Sequence, residues 1–225
     1  EKELTVRRIN FAGISKLLGG AGGNFDFVLA DLGVSSMQLD DPSRGFTFKT
    51  RGPLDLRLNP SRGQPAAVLL KSIPEKDLDE MLRAHSGEPH ACEIARAICK
   101  DREGAATTTG LADAVRKALT DVRAADPEEE IRRSVRRTFQ ALRIAVNDEF
   151  SALEQFLRDL PYCLKPHGRV AVLTFHSGED DRVMHSFEQG LGAGIYSDIG
   201  RDPIRATRQE CYDKPRAKSA ILRWA

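Results

Sequence analysis

The sequence predicts an α/β fold: a mostly parallel sheet with flanking helices, interrupted by a small all-helical module. Three observations predict it. Two compact apolar runs, residues 25–30 and 169–175, read as buried-type strands. Residues 64–126, between them, repeat apolar positions at helical spacing without a strand signal. A last apolar run, residues 219–224, closes the chain as a strand after a second helical stretch.

The elements follow in order. Leu4-Thr5-Val6-Arg7-Arg8-Ile9 alternates weakly and predicts a short strand. Residues 14–18 form a helical piece, stopped by Gly19, Gly20, Gly22 and Gly23. Those glycines precede a strand and follow a helical piece, the reverse of a phosphate-binding loop. After the strand at 25–30, the Gly-, Pro- and Arg-rich stretch from Gly33 to Gly63 carries Phe46, Phe48, Leu54, Leu56 and Leu58, so it is expected to be ordered and packed. Ser72-Ile73-Pro74-Glu75 matches a capping box, followed by Leu78, Met81 and Leu82. Ala91, Ile94 and Ile98 mark a second helix. Leu111, Val115 and Leu119 mark a third, with Thr107 to Thr109 available as caps. One long helix is expected over 138–160, broken by Pro161 and Lys165-Pro166-His167-Gly168. The expected organisation is a sheet domain in two parts, 1–63 and 127–225, and a helical insert at 64–126.

Composition excludes several classes. Hydrophobic residues are 40% and charged residues 30%, which argues against intrinsic disorder, collagen and coiled coil. No apolar run of about 18 residues supports a membrane span. The opening residues lack a signal peptide's apolar stretch. The 4 cysteines form no C-x-x-C pair, giving little support for a zinc ribbon and favouring a reduced, cytoplasmic compartment. A net charge of +1 argues against a nonspecific nucleic-acid coat but leaves room for a local basic patch.

The candidate chemistry sits past the strand ends, where open α/β sheets bind ligands. Asp31 ends the first strong strand, followed by Gly33, Ser35 and Ser36. His176 follows the second, ahead of Ser177, Glu179 and Asp180. Asp31 and His176 are therefore expected to face one cleft. The plainer reading makes Asp31 a turn cap and His176 to Asp180 a helix N-terminus. A serine hydrolase is disfavoured because no G-x-S-x-G elbow exists. A metal set of His176, Glu179 and Asp180 lacks a second histidine, so no metal is expected. Arg132, Arg133, Arg136 and Arg137 form a basic stripe able to neutralise phosphates, or else a solvated face paired with Glu128, Glu129 and Glu130. Lys214, Arg216 and Lys218 form a second basic group.

Several stretches together resemble the MraW/RsmH methyltransferases, which methylate the N4 amine of a cytidine in small-subunit ribosomal RNA. They include Asp31-Leu32-Gly33-Val34-Ser35-Ser36-Met37-Gln38, Gly52-Pro53-Leu54-Asp55-Leu56-Arg57-Leu58, Gly87-Glu88-Pro89-His90, Arg137-Thr138-Phe139-Gln140-Ala141-Leu142-Arg143, Phe175-His176-Ser177 and Pro215-Arg216-Ala217-Lys218-Ser219. The resemblance implies a class I, Rossmann-like methyltransferase sheet with a helical insert that recognises substrate. It implies S-adenosyl-L-methionine as methyl donor, with Phe11, Asp31 and Gln38 in its pocket. Asp31, Ser35 and His176 are the candidates for handling the amine protons, and the arginine stripe for RNA.

The sequence departs from that family by lacking the glycine-rich loop after strand one and the acidic residue after strand two. It also carries an extra residue and Gly178 in the segment after His176, and Arg132-Arg133-Ser134-Val135-Arg136 in place of a His-Pro-Ala-type lead. In the class I order 3-2-1-4-5-7-6, losing strands one and two would leave a gap of roughly 14 Å in the sheet. The expectation is that the natural protein has a further N-terminal segment. Two alternatives stand beside this reading: a noncatalytic RNA-binding or ribosome-assembly factor on a methyltransferase fold, and a methyltransferase acting on a small molecule or protein.

Overall fold

The computed structural model describes residues 4–18 and 24–225. In chain order its elements are β1 (Phe25–Asp31), α1 (Ser36–Asp40), α2 (Ala66–Ser72), α3 (Glu75–Ser86), α4 (Ala91–Lys100), α5 (Thr108–Ala118), α6 (Pro127–Asn147), α7 (Glu149–Cys163), β2 (Leu164–Thr174), α8 (Ser177–Gly192), β3 (Ile204–Arg205), α9 (Arg208–Asp213) and β4 (Ile221–Trp224). Short 3-10 turns lie at Phe11–Leu17, Pro42–Arg44, Gly104–Ala106 and Pro215–Ser219. The chain divides into a sheet unit, Glu1–Gly33 with Phe150–Ala225, and a helical unit, Val34–Glu149. Among the described residues no helix is long and apolar enough to cross a membrane.

In the sheet unit the strand order is β1-β2-β4-β3. β1 and β2 are parallel, while β4 is antiparallel to both its neighbours. The sheet is thus less parallel than expected, because β4 runs back between β2 and β3. Val170 and Val172 of β2 are buried, and Leu153, Phe156 and Leu160 of α7 with Phe187 of α8 complete the core. Burying a side chain of this size contributes about 1.5–3 kcal/mol. The strand expected at residues 4–9 is not formed. A strand needs a neighbour for its N–H and C=O groups, and residues 4–10 carry no strand pairing and lie exposed. The glycines at 19, 20, 22 and 23 lie outside the described residues. Lys165-Pro166-His167-Gly168 does not end a helix. It falls in the irregular start of β2, where the pairing jumps from Phe25↔Leu164 to Phe27↔Arg169.

In the helical unit α3, α4 and α5 each bury one stripe: Leu78 with Leu82, Ile94 with Ile98, Leu111 with Val115. Met81 packs on this core partly buried, and Leu119 is buried within it. The same core takes in Leu54 and Leu56 from the preceding loop and Val135, Phe139 and Leu142 from α6. The compact unit is therefore wider than residues 64–126, because the elements on either side share one apolar interior. Thr107 caps α5, accepting the Gly110 N–H at 3.1 Å. The capping box expected at Ser72 is absent: Ser72 ends α2, and Pro74 takes the cap position of α3 without a side-chain bond.

The loop before α2 is ordered, as expected. Arg44 donates to the carbonyls of Arg57 and Leu58 at 2.8 and 3.1 Å. Gly45 sits at φ +78°, and a Cβ there would lie 2.5 Å from the Pro53 carbonyl oxygen, so only glycine fits. The long helix expected over 138–160 is two helices. α6 starts at Pro127, behind an Asp126 cap, and stops where Asp148 turns to φ 50°. Asn147 ties that end down, accepting from the Leu58 N–H at 2.7 Å and donating to the Leu56 carbonyl at 2.8 Å. Pro161 lies inside α7, which continues to Cys163.

Candidate functional site

β1 and β2 leave the sheet at the same edge, because Asp31 pairs in register with Leu173 and the Leu32 N–H donates to the Leu173 carbonyl at 3.1 Å. Asp31 is exposed there, while Leu32 turns inward and is buried. Gly33 follows at φ +92°, a conformation L side chains rarely adopt, and its position for a Cβ faces the Phe175 ring at 3.5 Å. Asp31 thus ends β1, and His176 stands two residues past the end of the adjacent β2. The sheet's parallel register brings them to one edge.

His176 caps α8. Its Nδ1 accepts the Glu179 N–H at 3.3 Å. An accepting nitrogen carries no proton, so this bond leaves only Nε2 able to donate. Nε2 is buried 3.2 Å from a Glu179 carboxylate oxygen, without hydrogen-bond alignment to it. The other Glu179 oxygen accepts the Phe175 N–H at 2.8 Å. Asp180 receives a two-point ion pair from Arg223 of β4, at 2.9 and 2.8 Å. His176, Glu179 and Asp180 are therefore all engaged in fixing the β2 exit and the start of α8. Acidic residues in that first turn complement the helix dipole.

Gly178 has a local reason to be glycine. A Cβ there would lie 2.8 Å from the Phe150 ring. Arg182, one turn on, stacks 3.5 Å over that ring and donates to the Gly178 carbonyl at 2.9 Å. The spacing Gly178 to Arg182 was visible in the sequence, but the ring they meet, 28 residues upstream of Gly178, was not.

Phe11 opens a 3-10 turn capped by Asn10, and its ring meets Phe156 edge-on at 5.6 Å. It remains 39% exposed, enough to offer a ring surface to a ligand. Ser35 and Gln38 belong to the helical unit, where they form a reciprocal capping box on α1. The Ser35 hydroxyl accepts the Gln38 N–H at 3.3 Å, and the Gln38 side-chain oxygen accepts the Ser35 N–H at 2.9 Å. The Ser35 hydroxyl proton and the Gln38 amide protons are not used by this box.

The arginine stripe on α6 is heavily paired. Arg132 reaches Glu129 at 2.9 Å and Glu128 at 3.4 Å, Arg133 and Arg136 reach Glu129 at 3.3 and 3.4 Å, and Arg137 reaches Glu130 at 3.0 Å. The hydrogen bond from Arg132 holds the Glu129 carboxyl below its ordinary range. The C-terminal basic group is larger than Lys214, Arg216 and Lys218. Arg201, Arg205 and Arg208 lie in the same stretch, all exposed.

Comparison with known proteins bears on this arrangement. The model of the family described as the MraW methylase family matches residues 1–225. A ribosomal RNA small subunit methyltransferase H 1 of Lachnoclostridium phytofermentans is 51% identical over 225 residues, covering 99% of this chain and 61% of that protein. Its namesake in Agathobacter rectalis is 49% identical, with 100% and 65% covered. A ribosomal RNA small subunit methyltransferase H of Halorhodospira halophila is 40% identical, with 98% and 72% covered. The chain spans about three fifths of the length of the first two of these relatives.

Proposed function

The chain belongs to the MraW methylase family, and on that premise we propose that it transfers a methyl group from S-adenosyl-L-methionine to the N4 amine of a cytidine in small-subunit ribosomal RNA. The observation that carries this reading is the shared exit of β1 and β2, with the exposed Asp31 carboxylate beside the open backbone of Gly33. The strand order β1-β2-β4-β3 supports a class I methyltransferase fold, since it repeats the 4-5-7-6 end of that fold's order. On this reading the helical unit is an insert that recognises substrate. The partner is small-subunit ribosomal RNA or the assembling small subunit, in the cytoplasm or an organelle.

The residues present fit the donor. It is a cation carrying an adenine ring, and the chain offers an exposed carboxylate at Asp31 and an exposed ring at Phe11. Bound, the donor supplies an electrophilic methyl group. Cytosine's exocyclic amine is a weak nucleophile because its lone pair is delocalised into the ring. An acceptor on its N–H groups localises that pair and takes the proton, and the Asp31 carboxylate is the group for this. His176, with Nδ1 committed to the α8 cap, acts by holding the β2 exit in place. The remaining contribution is positioning of base against methyl group. The base must be presented unstacked, as in a single-stranded or loop RNA.

Replacing Asp31 tests the reading. Asp31→Ala is expected to weaken donor binding by about tenfold or more, the worth of a charge-assisted hydrogen bond, and to abolish methylation of unmodified small subunits. Calorimetry and mapping of a labelled methyl group are the measurements. Unchanged donor affinity with normal turnover would overturn the assignment.

A further inference from the structure

β3 and β4 are antiparallel neighbours, paired at Ile204↔Leu222 and Arg205↔Ile221. The connection between them is α9 followed by the 3-10 turn Pro215–Ser219. Both ends of this excursion are therefore fixed to one sheet edge. Thr207 caps α9 through the Glu210 N–H at 3.2 Å, and the Lys214 N–H closes the helix on the Glu210 carbonyl at 2.8 Å. The backbone is thus organised, while the side chains face outward: every charged residue from 201 to 218 is exposed.

The charge there is unbalanced. Residues 201–218 hold six cations (Arg201, Arg205, Arg208, Lys214, Arg216, Lys218) against three carboxylates (Asp202, Glu210, Asp213). Among the described residues, the side chains of Arg201, Arg205, Arg208, Lys214 and Lys218 make no ion pair and no hydrogen bond. Residues 126–137 of the α6 stripe instead hold four carboxylates and four guanidiniums, and each arginine there already has a glutamate. An arginine bound to a glutamate must give up that partner to take a phosphate. An unpaired one does not. Within the same stretch Tyr212 is 83% exposed and lies four residues after Arg208 on α9, so ring and guanidinium share one helix face. Cations flanking an exposed aromatic are the combination that binds single-stranded nucleic acid, charge to the backbone and ring to a base.

We propose that the β3–β4 connection, with Arg201, Arg205, Arg208, Lys214 and Lys218, is the phosphate-binding surface for single-stranded RNA, with Tyr212 as a stacking platform. This rests on the RNA reading above, and it moves the main electrostatic contact from the α6 stripe to the sheet unit.

The test is the salt dependence of binding to a fluorescent single-stranded RNA of about 15 nucleotides, followed by anisotropy with the chain as it stands. Arg205→Glu/Arg208→Glu/Lys214→Glu is expected to flatten the log–log salt slope by about 2, at roughly 0.7 per phosphate contact. Arg132→Glu/Arg136→Glu is expected to leave the slope close to wild type. Tyr212→Ala should lower affinity at least about fivefold, the smaller end of base-stacking effects, with the slope unchanged. Lys214→Gln/Lys218→Gln is a milder variant on exposed sites, expected to remove about 1.4 from the slope while circular dichroism matches wild type. An unchanged slope in both C-terminal variants, or a slope lost only in the α6 variant, overturns the location. Equal binding of a polyglutamate peptide, indifferent to Tyr212→Ala, would make this an acidic-protein surface and overturn it too. The RNA reading itself fails separately, if the chain binds the methyl donor but no RNA at low salt.

Discussion

The α6 face of the helical unit and the β3–β4 connection of the sheet unit use their charged residues in opposite ways. In the helical unit the arginines of α6 are spent on neighbouring glutamates at the surface, and the interior is almost wholly aliphatic. The buried carboxylate Glu88 is an exception, held by the Ser134 hydroxyl at 2.9 Å and the His90 N–H at 3.0 Å. In the sheet unit the buried charges Glu179, Asp180 and Arg223 gather just past the end of β2. Its surface keeps unpaired groups: Asp31, the cations of the β3–β4 connection, and Phe27 and Leu29 on β1. Charges and strand ends left open in the sheet unit are groups still able to take a ligand, whereas the α6 arginines must first release a glutamate.

The largest effect should come from the buried charges. Asp180→Ala leaves the Arg223 guanidinium, which is nearly inaccessible, without its carboxylate. Removing one partner of a buried pair costs about 3–5 kcal/mol. The single tryptophan, Trp224, is next to Arg223 on β4 and reports this unit directly. Its fluorescence should lose its unfolding transition at much lower urea in Asp180→Ala, with part of the loss restored in Asp180→Ala/Arg223→Met. A midpoint unchanged in the single variant would mean the pair is not holding β2, α8 and β4 together.

The helical unit should respond to cavities instead. Leu78→Ala empties a fully buried site in its core and is expected to cost about 2–5 kcal/mol, read from the urea midpoint of helical circular dichroism. A cost below about 1 kcal/mol would show that α3 can collapse around the gap, and the contrast between a rigid aliphatic interior and a charge-pinned sheet would weaken.

How much of this was legible follows the range of the interactions. Leu78, Leu82, Ile94, Ile98, Leu111 and Val115 announce their helices by local period, and all six are buried. Phe25 to Ala30 announces β1 by composition. Asp31 and His176 could be placed at strand ends, and the parallel register then brought those ends together. The sequence did not reveal that α6 shares a core with α3, α4 and α5, because a helix's apolar stripe does not name its partner. Nor did it reveal the break at Asp148, which depends on Asn147 reaching Leu56 and Leu58 some 90 residues away. The stripe of arginines was visible, as was the chance that glutamates would neutralise it. Only side-chain geometry decides between a paired face and a free one. The role of His176 as a cap was likewise one of two readings until its Nδ1 was seen to accept the Glu179 N–H.

The smallest expected effect separates the two units by pH. In the helical unit, hydrogen bonds from Arg57 hold the Asp55 carboxyl below its ordinary range. Its stabilising charge is fully present above the unfolded carboxyl's value, near 4, and is lost as pH falls through the lower folded value. In the sheet unit, burial raises the Tyr196 hydroxyl from its ordinary 10 to about 12. The folded chain keeps that proton between about 10 and 12, whereas the unfolded chain releases it, so stability falls as pH rises through this window. The hydroxyl has no hydrogen-bond partner among the described residues, so Tyr196→Phe removes the liability without breaking a bond. Stability of Tyr196→Phe should match wild type at pH 8 and exceed it by about 1–2 kcal/mol near pH 11.5, with Trp224 fluorescence as the probe. Asp55→Asn should do the converse, costing stability at pH 7 and converging on wild type as pH falls through the lowered folded value. Wild type and Tyr196→Phe falling together above pH 10 would mean that other groups govern the alkaline limit, and that the sheet unit's buried phenol is better solvated than its packing against Phe187 and Gly190 implies.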